Sequence, residues 1–243
     1  MGGDVGRLIQ RSVLFLFVIS YCLVPATLVA DDYDKACSLL SDAKKRVDSL
    51  SDYTLTLSSQ ERVGGKLLPE ATMFVKFKRP FSVYIKNLTG KHVNREIIYV
   101  KGKYNNKMIV SPGGILGMLT ARVSPYTKGE SRHSITEAGL PNTIGRMVTI
   151  LEEGETSPSC RAAVTYLGEG YSSSEKVIRV RIVNSSYAPK TELALDAVTL
   201  FPVEIVSYDT SGSVLESYRY HDIKPNVGLT DADFDPKNTA YHF

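Results

Sequence analysis

The sequence has none of the short motifs that announce a catalytic or metal centre. Its four histidines, His92, His133, His221 and His242, do not pair at metal-ligand spacing, and HExxH and CxxC are both missing. So is the GxSxG turn that would raise a nucleophilic serine. Cysteines number only three, Cys22, Cys37 and Cys160, too few for a disulfide-dense scaffold. Charge of one sign is not in excess, with 29 Lys and Arg against 26 Asp and Glu, so nucleic acid is not an expected partner. No apolar run reaches the roughly 20 residues of a membrane-spanning helix. No repeat of fixed period and no low-complexity tract stands out. What is left is a chain long enough for a real core. It is read as non-catalytic and as needing no cofactor or metal.

What is present begins with a targeting pattern. Arg7 and Arg11 form a positive start, Ser12 to Val24 an apolar stretch, and Pro25 to Ala30 a short end before Asp31-Asp32. That order is the layout of a secretory signal. Residues 1–30 are therefore read as a signal peptide and 31–243 as a single domain in the periplasm. A retained membrane anchor, or a lipid attached at Cys22, are the alternatives. Export would permit Cys37 and Cys160 to pair, although sequence does not bring them within bonding distance.

Ala36, Leu39, Leu40, Ala43, Val47 and Leu50 recur at helical spacing and predict a helix over 34–50, with Asp34 as its N-cap. Beyond Asp52 the period changes to two. Leu55 and Leu57 alternate with threonines, and Met73, Val75 and Phe77 alternate with lysines until Pro80. Val83 and Ile85, then 96–100 and 107–110, continue the pattern. A second helix is predicted over 143–153, ended by Gly154. Strands resume at 162–166, 178–182, 193–200, 203–208 and 214–220. About nine strands joined by short turns predict an antiparallel meander rather than βαβ units. The fold class is mainly β with a few helices: a curved antiparallel sheet, an incomplete, half-open β-barrel, with helices on the concave side.

Two clusters carry weak chemical signals. Asp231, Asp233 and Asp235 imitate the start of a calcium loop, but its sixth and twelfth places hold Pro236 and His242 instead of Gly and Glu. A C-terminal turn with Phe234 tucked against the body is the simpler reading. Arg132 and His133, with Glu137 nearby, mark where an enzyme would have to work. A structural or surface role is again simpler.

Tyr-Thr-Leu-Thr-Leu (53–57) after the first helix, then Phe-Val-Lys-Phe-Lys-Arg-Pro (74–80), resembles the start of bacterial outer-membrane lipoprotein carriers of the LolA type. Pro-Phe-Ser-Val-Tyr (80–84), Glu-Ile-Ile-Tyr-Val-Lys-Gly (96–102), Ser-Arg-His-Ser-Ile-Thr-Glu-Ala-Gly-Leu (131–140) and Gly-Leu-Thr-Asp-Ala-Asp-Phe-Asp (228–235) resemble a branch of exported domains of unknown function. The resemblance implies a cavity that shields the acyl chains of a lipoprotein or lipid, with transient membrane association. It implies Arg79 as a latch on the lid helices. Met73, Val75, Phe77, Val83 and Ile85 would line the cavity, ordinary core being the alternative. The 111–141 segment is longer than in the carriers. A structural or regulatory protein that binds another envelope protein through the same fold is the second functional expectation.

Overall fold

The computed structural model describes residues 26–113, 119–126, 129–155, 164–183, 185 and 187–243, with the backbone alone at 26–30 and 153–155. The signal segment up to Pro25, and Cys160 with its expected bridge to Cys37, lie outside the described residues.

The chain opens with helix α1 (Ala26–Asp48). It starts before the expected position, and Asp34 lies inside it rather than capping it. Ala, Leu and Asp31–Lys35, an i,i+4 ion pair, extend the helix in the N-terminal direction. Strands β1 (Asp52–Val63), β2 (Lys66–Leu67), β3 (Ala71–Lys78), β4 (Ser82–Asn87), β5 (Glu96–Val100), β6 (Met108–Ser111) and β7 (Ala121–Val123) follow. Helix α2 (Leu140–Glu155) comes next, with Pro141 in its first turn, where the missing N–H costs nothing. Its end lies one residue beyond Gly154. Five more strands complete the chain: β8 (Val164–Ser172), β9 (Glu175–Val183), β10 (Lys190–Asp196), β11 (Pro202–Tyr208) and β12 (Val214–Pro225). Residues 193–200 are thus not one strand. Asp196 turns the chain by accepting the N–H groups of Val198 and Thr199.

All strands but β2 follow one path, β7-β6-β5-β4-β3-β1-β12-β11-β10-β9-β8, and every pairing is antiparallel. Two meanders are therefore joined where β1 meets β12. The ends, β7 and β8, do not pair with each other, so the curved sheet stays open. Between the two meanders in sequence, residues 129–139 and α2 pack against the concave face.

Period-two alternation decides what faces inward. Tyr53, Leu55, Val75, Phe77, Val83, Val180, Ile182, Leu193, Leu195 and Ile205 meet Tyr33, Ala36, Leu40, Ala43 and Val47 of α1 and Leu140, Ile144, Met147 and Leu151 of α2 in one core. Gly139 makes this packing fit. Its φ is +97°, and a Cβ there would lie 2.8 Å from the Phe77 ring and 2.9 Å from the Tyr53 hydroxyl. That hydroxyl accepts the Leu140 N–H at 2.7 Å, fixing the start of α2.

The convex face of β3–β5 has a cover of its own. Phe234 is buried against Tyr84, Ile98 and Val100, and Tyr241 stacks on Tyr84 at 4.2 Å. Lys76 and Lys78 hold Asp233 and Asp231. The acidic C-terminal turn is therefore a fastening to the sheet. No group of His, Cys, Asp and Glu suited to a metal ion occurs among the described residues.

Candidate functional site

The concave face changes character along its length, and the register of the strands shows how. One row, Tyr53–Phe77–Val83–Tyr99, lies across β1, β3, β4 and β5, and Tyr53, Phe77 and Val83 belong to the helix-covered core. The next row, Leu55–Val75–Ile85–Ile97–Val110–Ala121, begins in that core and leaves it at Ile85. Beyond it come Leu57 and Met73, then Ser59 and Ala71. Over this second half the helices reach only the edge, where Thr143, Arg146 and Met147 of α2 stand. A cavity of about 640 Å³ is left, lined by Leu57, Met73, Ile85, Ile97, Met108 and Val110 from the sheet. Its far wall is formed by Pro125, Ser131, His133, Ile135 and Ala138, together with Met147 of α2.

Of the residues expected to line a cavity, Met73 and Ile85 are at its wall, whereas Val75, Phe77 and Val83 are buried in the core beside it. Arg79 is half-exposed at the end of β3. Its guanidinium donates to the Leu50 carbonyl at 3.1 Å and to the Asp48 carboxylate at 3.0 Å. It therefore ties the sheet to the C-terminal end of α1, where a cation also suits the helix dipole.

Residues 129–139 are pinned across the open half by a buried ionic network that sequence reading did not find as a unit. Glu216 of β12 is fully buried. It accepts hydrogen bonds from Arg132 Nε at 3.0 Å, Ser207 Oγ at 3.1 Å and the Tyr187 hydroxyl, and pairs with His133 Nε2 at 2.8 Å. The other imidazole nitrogen, Nδ1, meets Glu137 at 3.0 Å, and Glu137 in turn pairs with Arg146 of α2 at 2.8 Å. A second carboxylate, Glu61 of β1, accepts from Ser131 Oγ at 2.9 Å, the Arg132 N–H at 2.6 Å and the Tyr218 hydroxyl at 2.6 Å.

The charge states follow from these partners. Burial opposes ionisation of Glu216, but hydrogen bonds from His133 and Tyr187 and the charges of His133 and Arg132 outweigh it, and its pKa falls to about 2. Burial likewise disfavours the imidazolium of His133, but the bond and charge of Glu216 prevail and raise its pKa. Burial, and then the Glu216 charge, hold the Tyr187 and Tyr218 phenols above their usual range, so both remain donors. A histidine held between two carboxylates, with an arginine on each, is a clamp. Arg132, His133 and Glu137, marked in the sequence, thus come together on Glu216. The available signal was phase: Glu216 lies on the same strand face as Tyr218 and Tyr220, which looks inward.

The class these elements define is a half-open antiparallel sheet around two helices, with an apolar cavity beside them. The chain belongs to the family of proteins of unknown function DUF1571, whose model matches residues 50–243. An uncharacterised conserved protein from Thermus thermophilus superposes with a TM-score of 0.50 at 12% identity, covering 84% of this chain and 96% of that one. The lipoprotein LppX of Mycobacterium tuberculosis superposes at 0.48 and 10% identity, over 83% and 99%. A putative outer-membrane lipoprotein-sorting domain from Vibrio parahaemolyticus does so at 0.42 and 11%, over 84% and 97%. No curated protein matches. No helix among the described residues is long and apolar enough to cross a membrane.

Proposed function

We propose that this protein is a non-catalytic periplasmic carrier or sensor that shields an acyl chain of a lipid or lipoprotein in the concave cavity. The observation that carries this reading is the apolar wall of Leu57, Met73, Ile85, Ile97, Met108 and Val110 left open beside a filled core. Moving a methylene from water to such a wall is worth about 0.8 kcal/mol. Residues 129–139 serve as the cover, and the Arg79 contact to the end of α1 as the latch that keeps the helices seated. The N-terminal pattern of residues 1–30 supports export.

The sequence contains no tryptophan, so a single one is a clean reporter. In Ile85→Trp, acyl ligands should shift the emission, and Val110→Glu should abolish their binding while the thermal melt stays cooperative. Native mass spectrometry of protein from its own compartment should find a co-purifying lipid. A bare mass, unchanged when acyl ligands are offered, would sink the reading and favour an envelope protein as partner.

A further inference from the structure

The cavity wall is not uniform, and its polar end is specific. Asn87 closes the apolar row beside Met73, and the β4–β5 turn that follows places Lys91, His92 and Arg95 on the cavity lining. Lys91 is exposed at the rim and forms no ion pair with a described residue. Arg95 pairs with Glu130 of the covering segment at 2.8 Å. Two permanent cations therefore meet one carboxylate at this end, leaving one positive charge uncompensated among the described residues. Burial, and then the neighbouring Arg95 charge, lower the pKa of His92, so it contributes a neutral ring. Elsewhere on the lining, Glu137 pairs with His133 and Arg146, and Glu61 accepts hydrogen bonds from the Ser131 and Tyr218 hydroxyls and the Arg132 N–H.

Size narrows the occupant further. A space of 640 Å³ holds about twenty non-hydrogen atoms at the ~30 Å³ that a water molecule takes in the liquid. One acyl chain of fourteen to sixteen carbons with a small headgroup fits that count. A two-chain lipid has roughly twice as many atoms and would have to leave one chain outside that volume.

Resting on the carrier reading above, we infer that the cavity takes a single-chain anionic amphiphile, its tail along Ile85, Ile97 and Val110 and its carboxylate or phosphate at Lys91 and Arg95. The anion neutralises the spare charge, and competes with Glu130 for Arg95 as it seats.

The test is titration calorimetry, below micelle concentrations, with tetradecanoate, tetradecyl phosphate, tetradecanol and ditetradecanoyl phosphatidate. The two single-chain anions should bind one to one and at least tenfold tighter than the alcohol or the two-chain lipid. The tighter of the two anions names the headgroup, and a tie supports the chemistry they share. Lys91→Glu should erase the preference for acid over alcohol without shifting the melt. Arg95→Gln should weaken it in the same direction. Equal affinity for acid and alcohol, an unchanged preference in both variants, or tighter binding of the two-chain lipid would overturn this inference and leave the carrier reading standing. Absence of binding by all four probes would overturn both.

Discussion

The two halves of the concave face are built from the same kinds of residue and end differently. Under the helices, Phe77, Val83 and Leu195 are buried against α1 and α2. Under residues 129–139, Ile85, Ile97 and Val110 face a space. The sheet supplies an apolar face to both. What differs is the cover. A helix fills a face with side chains at every turn, whereas a loop can bridge it only if it is held at a few points. Here those points are ionic: Glu216, His133, Arg132 and Glu61. Apolar alternation tells which face turns inward. Whether protein or cavity meets it there depends on the element that crosses above.

The sharpest way to break this contrast is to remove the clamp. Glu216→Ala leaves Arg132 and His133 without their buried partner and should cost about 3–5 kcal/mol in a urea melt. Hydrogen exchange should quicken over 131–139 while β9 and β10 stay protected. Equal loss of protection in both halves would show that the clamp and the helix-covered core are one unit.

Next comes a matched pair in the two halves. Phe77→Ala opens a hole under the helices and should cost about 3–5 kcal/mol. Ile85→Ala, at a wall that already borders space, should cost about 1 kcal/mol, because little packing is lost there. Similar values would mean that the space beside Ile85 closes in solution. At the seam between the halves, Gly139→Ala should destabilise by more than about 1 kcal/mol, since its positive φ and the adjoining rings leave no room for a methyl. A neutral result would place the start of α2 elsewhere.

The smallest effect is that of pH. His133, facing Glu216, Glu137, Arg132, Arg146, Tyr187 and Tyr218, has a raised pKa. It stabilises fully below its ordinary 6.5, and this is lost as pH rises through the higher folded value. The depressed Glu216 stabilises above its ordinary 4.5, and this is lost as pH falls toward about 2. Stability from the clamp should peak between those two ordinary values. In His133→Gln the alkaline limb of a melting-temperature profile should flatten.

Much of the architecture was legible beforehand. Lys76 and Lys78 on either side of Phe77, and arginines between Ile178, Val180 and Ile182, gave the strands and their inward faces. The antiparallel order followed from the short turns. Position along a face was not legible, and the difference between Val83 and Ile85 shows why. Two residues apart on one strand face, Val83 is fully buried in the core under the helices, whereas Ile85 packs against that core only in part and lines the cavity. Glu216 was harder still. Between Leu215 and Ser217 it resembles a solvated strand residue, and its partners lie some eighty positions away at Arg132 and His133. The start of α1 was hidden by the end of a targeting pattern that is itself compatible with helix.

The seam between the two meanders governs when this molecule becomes itself. Strand β1 has β12 as neighbour, with Tyr53 opposite Pro225 and Glu61 opposite Glu216. Closing that pair means bringing together chain positions roughly 150 residues apart, an entropic toll met before any local contact rewards it. The hairpins from β1 to β7 can assemble as they emerge. The other edge of the first strand must wait for the last, and so must the clamp, because Glu216 is made after Arg132 and His133. A chain cut short before β12 keeps its hairpins and has neither a closed seam nor a held cover.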